Sequence, residues 1–252
     1  MAPVLPATSA AKPTVTLSAQ AVPIPKHLLE PTGPKWPRTG NRAGMGAELE
    51  AHFGIAGSED RGLPAPLRRV VLYLPKGTQV HTGGFAKCQP SLSGWPHNGP
   101  PCPSRSFASV PGEVHELINF NGTGAYAAST QGAFFPAGGG IGFWTHITGG
   151  PLLGGGYNTG SLTPTAGGYG YKLTETLPRR TVMETALVLT TVSLDYTLGA
   201  AYVKSNKLVS LVTMPKVCPV GGLAVKAELS FGDGANSTWE TVAVVSREPC
   251  GK

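Results

Sequence analysis

Charge is scarce in this sequence, and long apolar runs are missing from it. Charged residues make up 13% of the 252 positions, against about 25% in typical globular domains. The net charge is +6, but the basic residues are scattered, with Arg68-Arg69 and Arg179-Arg180 as the only doublets. Nucleic-acid-binding domains concentrate such charge along one face, so no nucleic-acid partner is predicted. No apolar run reaches the roughly 18 residues of a membrane helix, so no membrane span is predicted.

Motifs of common catalytic and cofactor sites are missing as well. There is no Gly-x-Ser-x-Gly nucleophile elbow. The glycine runs fit neither the dinucleotide-binding pattern nor the phosphate-binding loop, so no cofactor is predicted. Aspartate occurs only as Asp60, Asp195 and Asp233. A Ser-His-Asp triad assembled from distant strands stays open as an alternative, because triads are recognised by geometry and not by sequence order.

Two histidines and two cysteines lie close together in the sequence, at His81, Cys88, His97 and Cys102. Zinc sites use these ligand types, but the spacings here match no common zinc pattern. We therefore interpret the two cysteines as a disulfide, and no metal site is predicted.

Glycine and proline are abundant, with 35 and 24 residues. Apolar residues nevertheless recur at every second position in short segments, which is typical of strands with one buried face. The predicted strands cover residues 14–21, 47–55, 67–74, 114–120, 126–135, 141–148, 171–177, 183–196, 207–214, 223–231 and 238–245. The sequence thus predicts an all-β fold, either a two-sheet antiparallel β-sandwich or a jelly roll, with long Pro/Gly-rich loops and two disulfides. One domain is expected over residues 13–252, after a disordered tail at 1–12.

The C-terminal region predicts a hairpin. Alternate residues from Val225 to Phe231 are apolar, a Gly-rich turn follows, and residues 238–245 form the return strand. Folding this hairpin about Gly234 places Cys218 directly opposite Cys250, within the distance that a disulfide requires. This geometry favours the Cys218–Cys250 pairing among the three that four cysteines allow.

Cys88 and Cys102 then form the second disulfide. Because disulfides persist in oxidising compartments, we expect an exported, extracellular protein. The first nine residues, Met1 to Ser9, resemble a mature N-terminus to which an initiator Met was added after removal of a signal peptide, so a longer natural product with a signal peptide is expected.

Several segments together resemble a known group of proteins. They are Tyr73-Leu74-Pro75-Lys76-Gly77-Thr78, the loop from Cys88 to Cys102, Lys216-Val217-Cys218-Pro219, and Pro249-Cys250. The group consists of uncharacterised exported proteins from high-GC Gram-positive bacteria. The resemblance implies export and a disulfide-bonded β fold, and it implies no catalytic residue.

Carboxylates provide one candidate for chemistry. Glu48 and Glu50 share a strand face, and Glu113 and Glu175 are less clearly paired. A glycosidase needs two carboxylates about 5–9.5 Å apart across a cleft. A solvated strand face explains these residues without catalysis, and we interpret them in that way.

The Gly-rich block at residues 134–171 is the best functional candidate. Exposed aromatic side chains on a β surface can stack on sugar faces or anchor a partner protein. The predicted binding surface comprises Phe143, Trp144, Tyr157, Tyr169 and Tyr171. The alternative is that these rings fill the core while the glycines form turns, and the alternation at Gly142–His146 favours it.

The predicted function is that of a non-catalytic, secreted or cell-surface protein that binds or helps build the bacterial envelope. A cell-wall glycan or a surface protein is the expected partner. The alternative is a secreted hydrolase acting on polysaccharide or ester bonds. A cleft where Ser and His or two carboxylates converge would favour the hydrolase, whereas a flat surface carrying Trp144, Tyr157 or Tyr169 would favour binding.

Overall fold

Strands make up most of the described part of the chain. The computed structural model describes residues 12–30, 38–57, 63–90, 101–120, 123–149, 155–177, 189–232 and 240–251. The strands are β1 (Thr14–Val22), β2 (Leu29–Glu30), β3 (Glu48–Ala56), β4 (Leu67–Pro75), β5 (Gln79–Val80), β6 (Gly112–Phe120), β7 (Thr123–Phe134), β8 (Ile141–Gly149), β9 (Gly155–Pro164), β10 (Tyr169–Thr176), β11 (Leu189–Leu198), β12 (Ala201–Lys204), β13 (Lys207–Ser210), β14 (Val212–Thr213), β15 (Leu223–Phe231) and β16 (Glu240–Glu248). The predicted tail lies outside these ranges except for Lys12.

Helical structure in these ranges is limited to two 3₁₀ turns, Lys26–Leu28 and Ser104–Ser106. None of the described helices is long and apolar enough to cross a membrane.

Eleven strands form one antiparallel sheet, in the order β1-β3-β11-β6-β7-β8-β9-β10-β4-β15-β16. The sheet curls until its two edge strands, β1 and β16, lie side by side. Ala19 N–H donates to Ser246 Oγ at 3.2 Å, and Ala21 N–H donates to Glu248 Oε2 at 2.8 Å. These side chains occupy edge amides that would otherwise be open to another chain.

The predicted fold class is confirmed as all-β and antiparallel with two disulfides. A nearly closed sheet of this kind is compatible with the predicted two-layer packing and does not require it. Its interior holds the main apolar core, to which Phe53, Leu74, Leu194 and Phe231 contribute fully buried side chains. Burial alternates along most of β15, as the period-two pattern predicted, because successive side chains point to opposite faces of a sheet.

The register of the C-terminal hairpin differs from the predicted one. Leu223 faces Glu248 and Phe231 faces Glu240, whereas folding about Gly234 placed residues 245 and 237 opposite them. The connection between the two strands is therefore longer and its centre lies further along the chain. Cys218 and Cys250 form the predicted disulfide nonetheless, with their Cα atoms 6.0 Å apart.

A second apolar cluster lies on the outer side of the sheet, over β7, β8 and β9. Its buried members are Cys88, Phe134 and Trp144. The Cys88–Cys102 disulfide covers this cluster, and Cys88 N–H donates to Phe135 O at 2.9 Å. Glycines make room for the rings: a Cβ at Gly142 would lie 2.3 Å from the Phe134 ring, and one at Gly132 would lie 2.6 Å from Trp144 Nε1.

One end of the sheet carries both disulfides and two small sheets. These sheets have the strand orders β13-β12-β2 and β14-β5. Their strands lie in segments 23–30, 76–90 and 199–222. Together with segments 38–47 and 101–111, these segments connect strands of the large sheet at this end. We call these segments the disulfide end.

Candidate functional site

The structure divides the five aromatic residues of the predicted binding surface between core and surface. Phe143 and Trp144 are each 1% exposed. They point to opposite sides of β8, Phe143 into the interior against Tyr196 and Trp144 into the outer cluster. The predicted binding surface was wrong for these two residues, and the alternative, that the rings are buried, holds for them, because both sides of β8 are covered by other parts of the chain.

Tyr157 and Tyr171 are half-buried and held by packing. Tyr157 contacts the Phe134 ring edge to face, with centroids 6.0 Å apart, and Tyr171 packs against the main core. Of the five predicted residues, Tyr169 is left as the candidate for a binding surface. Its ring lies on the outer side of the sheet, 5.5 Å from the Tyr73 ring, with the two planes tilted by 49°.

Sequence reasoning missed Tyr73, which lies in an almost continuous apolar strand. The sheet places it on the outer side of β4, between Lys172 of β10 and Lys226 of β15 in register. Its hydroxyl donates to Glu228 Oε2 at 2.9 Å, and Lys226 Nζ lies 5.0 Å from the centre of its ring. We call Tyr73, Tyr169, Lys172, Lys226 and Glu228 the tyrosine face.

The polar groups of the tyrosine face fix one another's protonation. Lys226 Nζ donates to Glu228 Oε1 at 2.6 Å, and this bond lowers the pKa of Glu228 and raises that of Lys226. Burial raises the pKa of Tyr73, and its hydrogen bond to Glu228 raises it further. At neutral pH the Lys226 ammonium, the Glu228 carboxylate and the neutral Tyr73 phenol therefore lie together on this face, and Tyr169 provides the second ring.

Such a surface can bind a hydroxylated ligand. Aromatic rings provide a large apolar contact of fixed shape, while the ammonium and the carboxylate can donate to and accept from hydroxyl groups. The neighbouring strands hold these side chains in place, so little ordering is required on binding.

A serine, a histidine and an aspartate form a row across three neighbouring strands on another outer part of the sheet. Ser18 faces His52, and His52 faces Asp195. His52 Nδ1 pairs with Asp195 Oδ1, but no hydrogen bond joins Ser18 to His52 in the described structure. The His52 side chain is 62% exposed, so the row provides neither the nucleophile–base contact nor the exclusion of water that hydrolysis by a triad uses.

A shallow depression of about 350 Å³ lies beside this row, with Glu50 and Glu113 at its wall. Of the four predicted carboxylate candidates, these two line the depression, and Glu48 and Glu175 do not. Glu48 lies on the outer side of β3 but is 1% exposed and does not line the depression, so a solvated face was the wrong interpretation for this residue. The same interpretation was wrong for Glu175, which is buried inside the sheet and accepts a hydrogen bond from Tyr196.

Metal binding has no support at the predicted cysteine and histidine cluster. Cys88 and Cys102 are joined in a disulfide and offer no thiolate, and His97 lies outside the described residues. Among those described, no three His, Cys, Asp or Glu side chains form a group that could hold a metal ion.

Comparison of the chain with protein-family models, curated proteins and solved structures found no match. The choice of the tyrosine face as the candidate site therefore rests on the contacts among its own residues.

Proposed function

We propose that this protein is a non-catalytic, secreted or cell-surface protein that binds a glycan of the bacterial envelope through the tyrosine face. The observation that carries the proposal is the half-exposed Tyr73–Tyr169 pair, bordered by a lysine and a carboxylate in hydrogen-bonding distance of each other. Sugars present apolar C–H faces and a rim of hydroxyl groups, and the tyrosine face offers partners for both.

Export is part of the same proposal. Both disulfides are formed, and no free cysteine occurs in the described residues. Proteins with two structural disulfides occur mainly in oxidising compartments, and envelope glycans lie in such a compartment.

The ring of Tyr169 is the part of this site to test. Tyr169→Ala is expected to weaken glycan binding about tenfold, because it removes one of the two aromatic contacts. Tyr169→Phe keeps the ring and serves as the matched control, with an expected change of less than about threefold. The measurement is a glycan array, followed by calorimetric titration with the best-binding soluble oligosaccharide.

An array without hits, together with turnover of ester or polysaccharide substrates by the wild-type protein, would contradict the proposal and favour the hydrolase. Equal binding by Tyr169→Ala and wild type would show that the glycan does not bind at this face.

A further inference from the structure

The disulfide end has a charge composition unlike that of the rest of the described chain. Its described segments contain nine basic residues and one acidic residue, Glu30. The basic residues are Lys26, Arg38, Arg42, Lys76, Lys87, Arg105, Lys204, Lys207 and Lys216. Charges that are scattered in the sequence are thus gathered at one end of the sheet by the antiparallel topology. A concentration of one sign of charge attracts oppositely charged ligands.

A groove of about 900 Å³ opens within this end. It lies between the segment around β5 and the strands β12, β13 and β14. Polar or basic side chains at its wall include Gln79, His81, Arg105, Lys204 and Ser210. Among the described residues, no aspartate or glutamate lines it, so a negatively charged ligand would meet no like charge from these residues at the wall.

The single acidic residue of this end is already neutralised by neighbours. Glu30 accepts a hydrogen bond from Ser104 Oγ at 2.8 Å and pairs with Arg105 Nε at 3.2 Å. The Arg105 side chain is still 56% exposed. Its guanidinium has five N–H donors in a planar fork, so contact through Nε leaves donors for a second anion.

The walls of the groove are held in place by backbone and aromatic contacts. Tyr202 Oη donates to Gly83 O at 2.9 Å, and the Tyr202 ring packs edge to face on Phe85 at 4.9 Å. Gly84 has φ +87°, and a Cβ there would lie 2.2 Å from Tyr202 Oη. His81 N–H donates to Leu211 O at 2.9 Å, which ties the two walls together. A preformed groove loses little entropy when it binds a ligand.

We infer that this groove binds an anionic, hydroxyl-bearing polymer, namely a sugar or polyol chain that carries phosphate or carboxylate groups. Arg105 and Lys204 pair with the anionic groups, and the amide of Gln79 is suited to the hydroxyls between them. The volume exceeds that of a single small anion, which favours a chain over an isolated ion. This site is separate from the tyrosine face and does not depend on the function proposed for it.

The test compares Lys204→Glu with Lys216→Glu, which makes the same charge change at an exposed position of the same end but outside the groove. The probes are a glycerol phosphate oligomer, polygalacturonate, neutral dextran and a single-stranded oligonucleotide, titrated calorimetrically at low and at physiological salt. Lys204→Glu is expected to weaken binding of at least one anionic glycan tenfold or more, and Lys216→Glu less than threefold. Dextran is expected not to bind.

The two anionic probes distinguish a phosphate-bearing from a carboxylate-bearing chain, and His81→Ala provides a second groove variant.

Equal losses for both lysine variants would show attraction to the whole basic end and overturn the assignment. Tighter binding of the oligonucleotide than of either glycan would overturn it in favour of a nucleic-acid site. A thermal unfolding midpoint equal to that of the wild type shows for each variant that the loss of binding is local. Since Tyr169→Ala leaves this groove untouched, failure of one site does not imply failure of the other.

Discussion

Glu48→Gln is expected to stabilise the protein at pH 8 by on the order of 4 kcal/mol and to have little effect near pH 4. Glu48 is 1% exposed, and its Oε2 has no hydrogen-bond partner among the described residues. Burial, with a smaller contribution from the Glu50 charge, raises its pKa from the ordinary value of 4.5 to about 8, against the effect of a hydrogen bond from the Val110 backbone. The Gln side chain resembles the protonated carboxyl in shape and in neutrality.

The direction in which stability changes with pH follows from proton binding by the folded and unfolded states. Between pH 4.5 and about 8 the unfolded chain has released this proton and the folded protein still holds it. The folded state therefore binds more protons, and stability falls with rising pH, by about 1.4 kcal/mol per unit from this group. Glu48→Gln removes that decline.

Urea unfolding at several pH values from 4 to 9 measures the difference between the two proteins. Glu50→Gln is the control, since Glu50 is half-exposed. Its replacement removes a neighbouring charge and keeps a side-chain oxygen that can accept the hydrogen bond from Gln20 Nε2. A difference between Glu48→Gln and wild type that stays constant across this range would show that Glu48 ionises normally in the folded protein.

Removal of the Cys218–Cys250 disulfide by a double substitution to alanine is expected to lower stability by about 3–4 kcal/mol, because the closed loop restricts the unfolded chain. The cysteines are 32 positions apart. The disulfide also holds the chain just beyond β16, whose Ser246 and Glu248 accept the Ala19 and Ala21 amides of β1. The double variant should therefore open the seam between β1 and β16 first.

Hydrogen exchange provides the local readout. The Ala19 and Ala21 amides are expected to lose protection in the Cys218/Cys250 variant at a denaturant concentration where the core amide of Leu229 keeps it. The matched control removes Cys88 and Cys102, whose bond lies over the outer cluster. That variant should be destabilised too, but without preferential exchange at the seam. Equal loss of protection at Leu229 and Ala19 in the first variant would show that the seam is not a separate unit.

Local patterns in the sequence predict much of this fold. Alternation from Val225 to Phe231 predicts β15 and its buried face, since side-chain direction depends on the strand alone. The turn of the hairpin is less determined, because the Gly-rich segment allows more than one connection length. The disulfide was still predicted correctly, since the Cα distance that it tolerates spans more than 2 Å, from about 4.4 to 6.8 Å.

Other features depend on packing that the sequence does not show. The strand β9 was not predicted because its glycines weaken the period-two pattern. One of these glycines is needed for close approach: a Cβ at Gly160 would lie 2.9 Å from the Phe143 ring. The alternation at Gly142–His146 favoured burial of the rings there, but it did not show that the distant Cys88 segment covers Trp144.

The same reason limits prediction of the site. Tyr169 was a candidate, but its partner Tyr73 comes from a strand about 100 residues away. The basic groove was not predicted, because its charges come from separate loops that meet only when the sheet curls. Topology, and not local pattern, brings these side chains together.

The claim that the tyrosine face binds a glycan is tested most directly by an NMR titration of isotope-labelled protein with soluble fragments of Gram-positive cell wall. We predict saturable shifts at Tyr169, Lys172, Tyr73 and Lys226, on β10, β4 and β15, with no change in the fragments. Absence of shifts at these strands, or shifts around His52 and Asp195 accompanied by cleavage of the fragments, would contradict it.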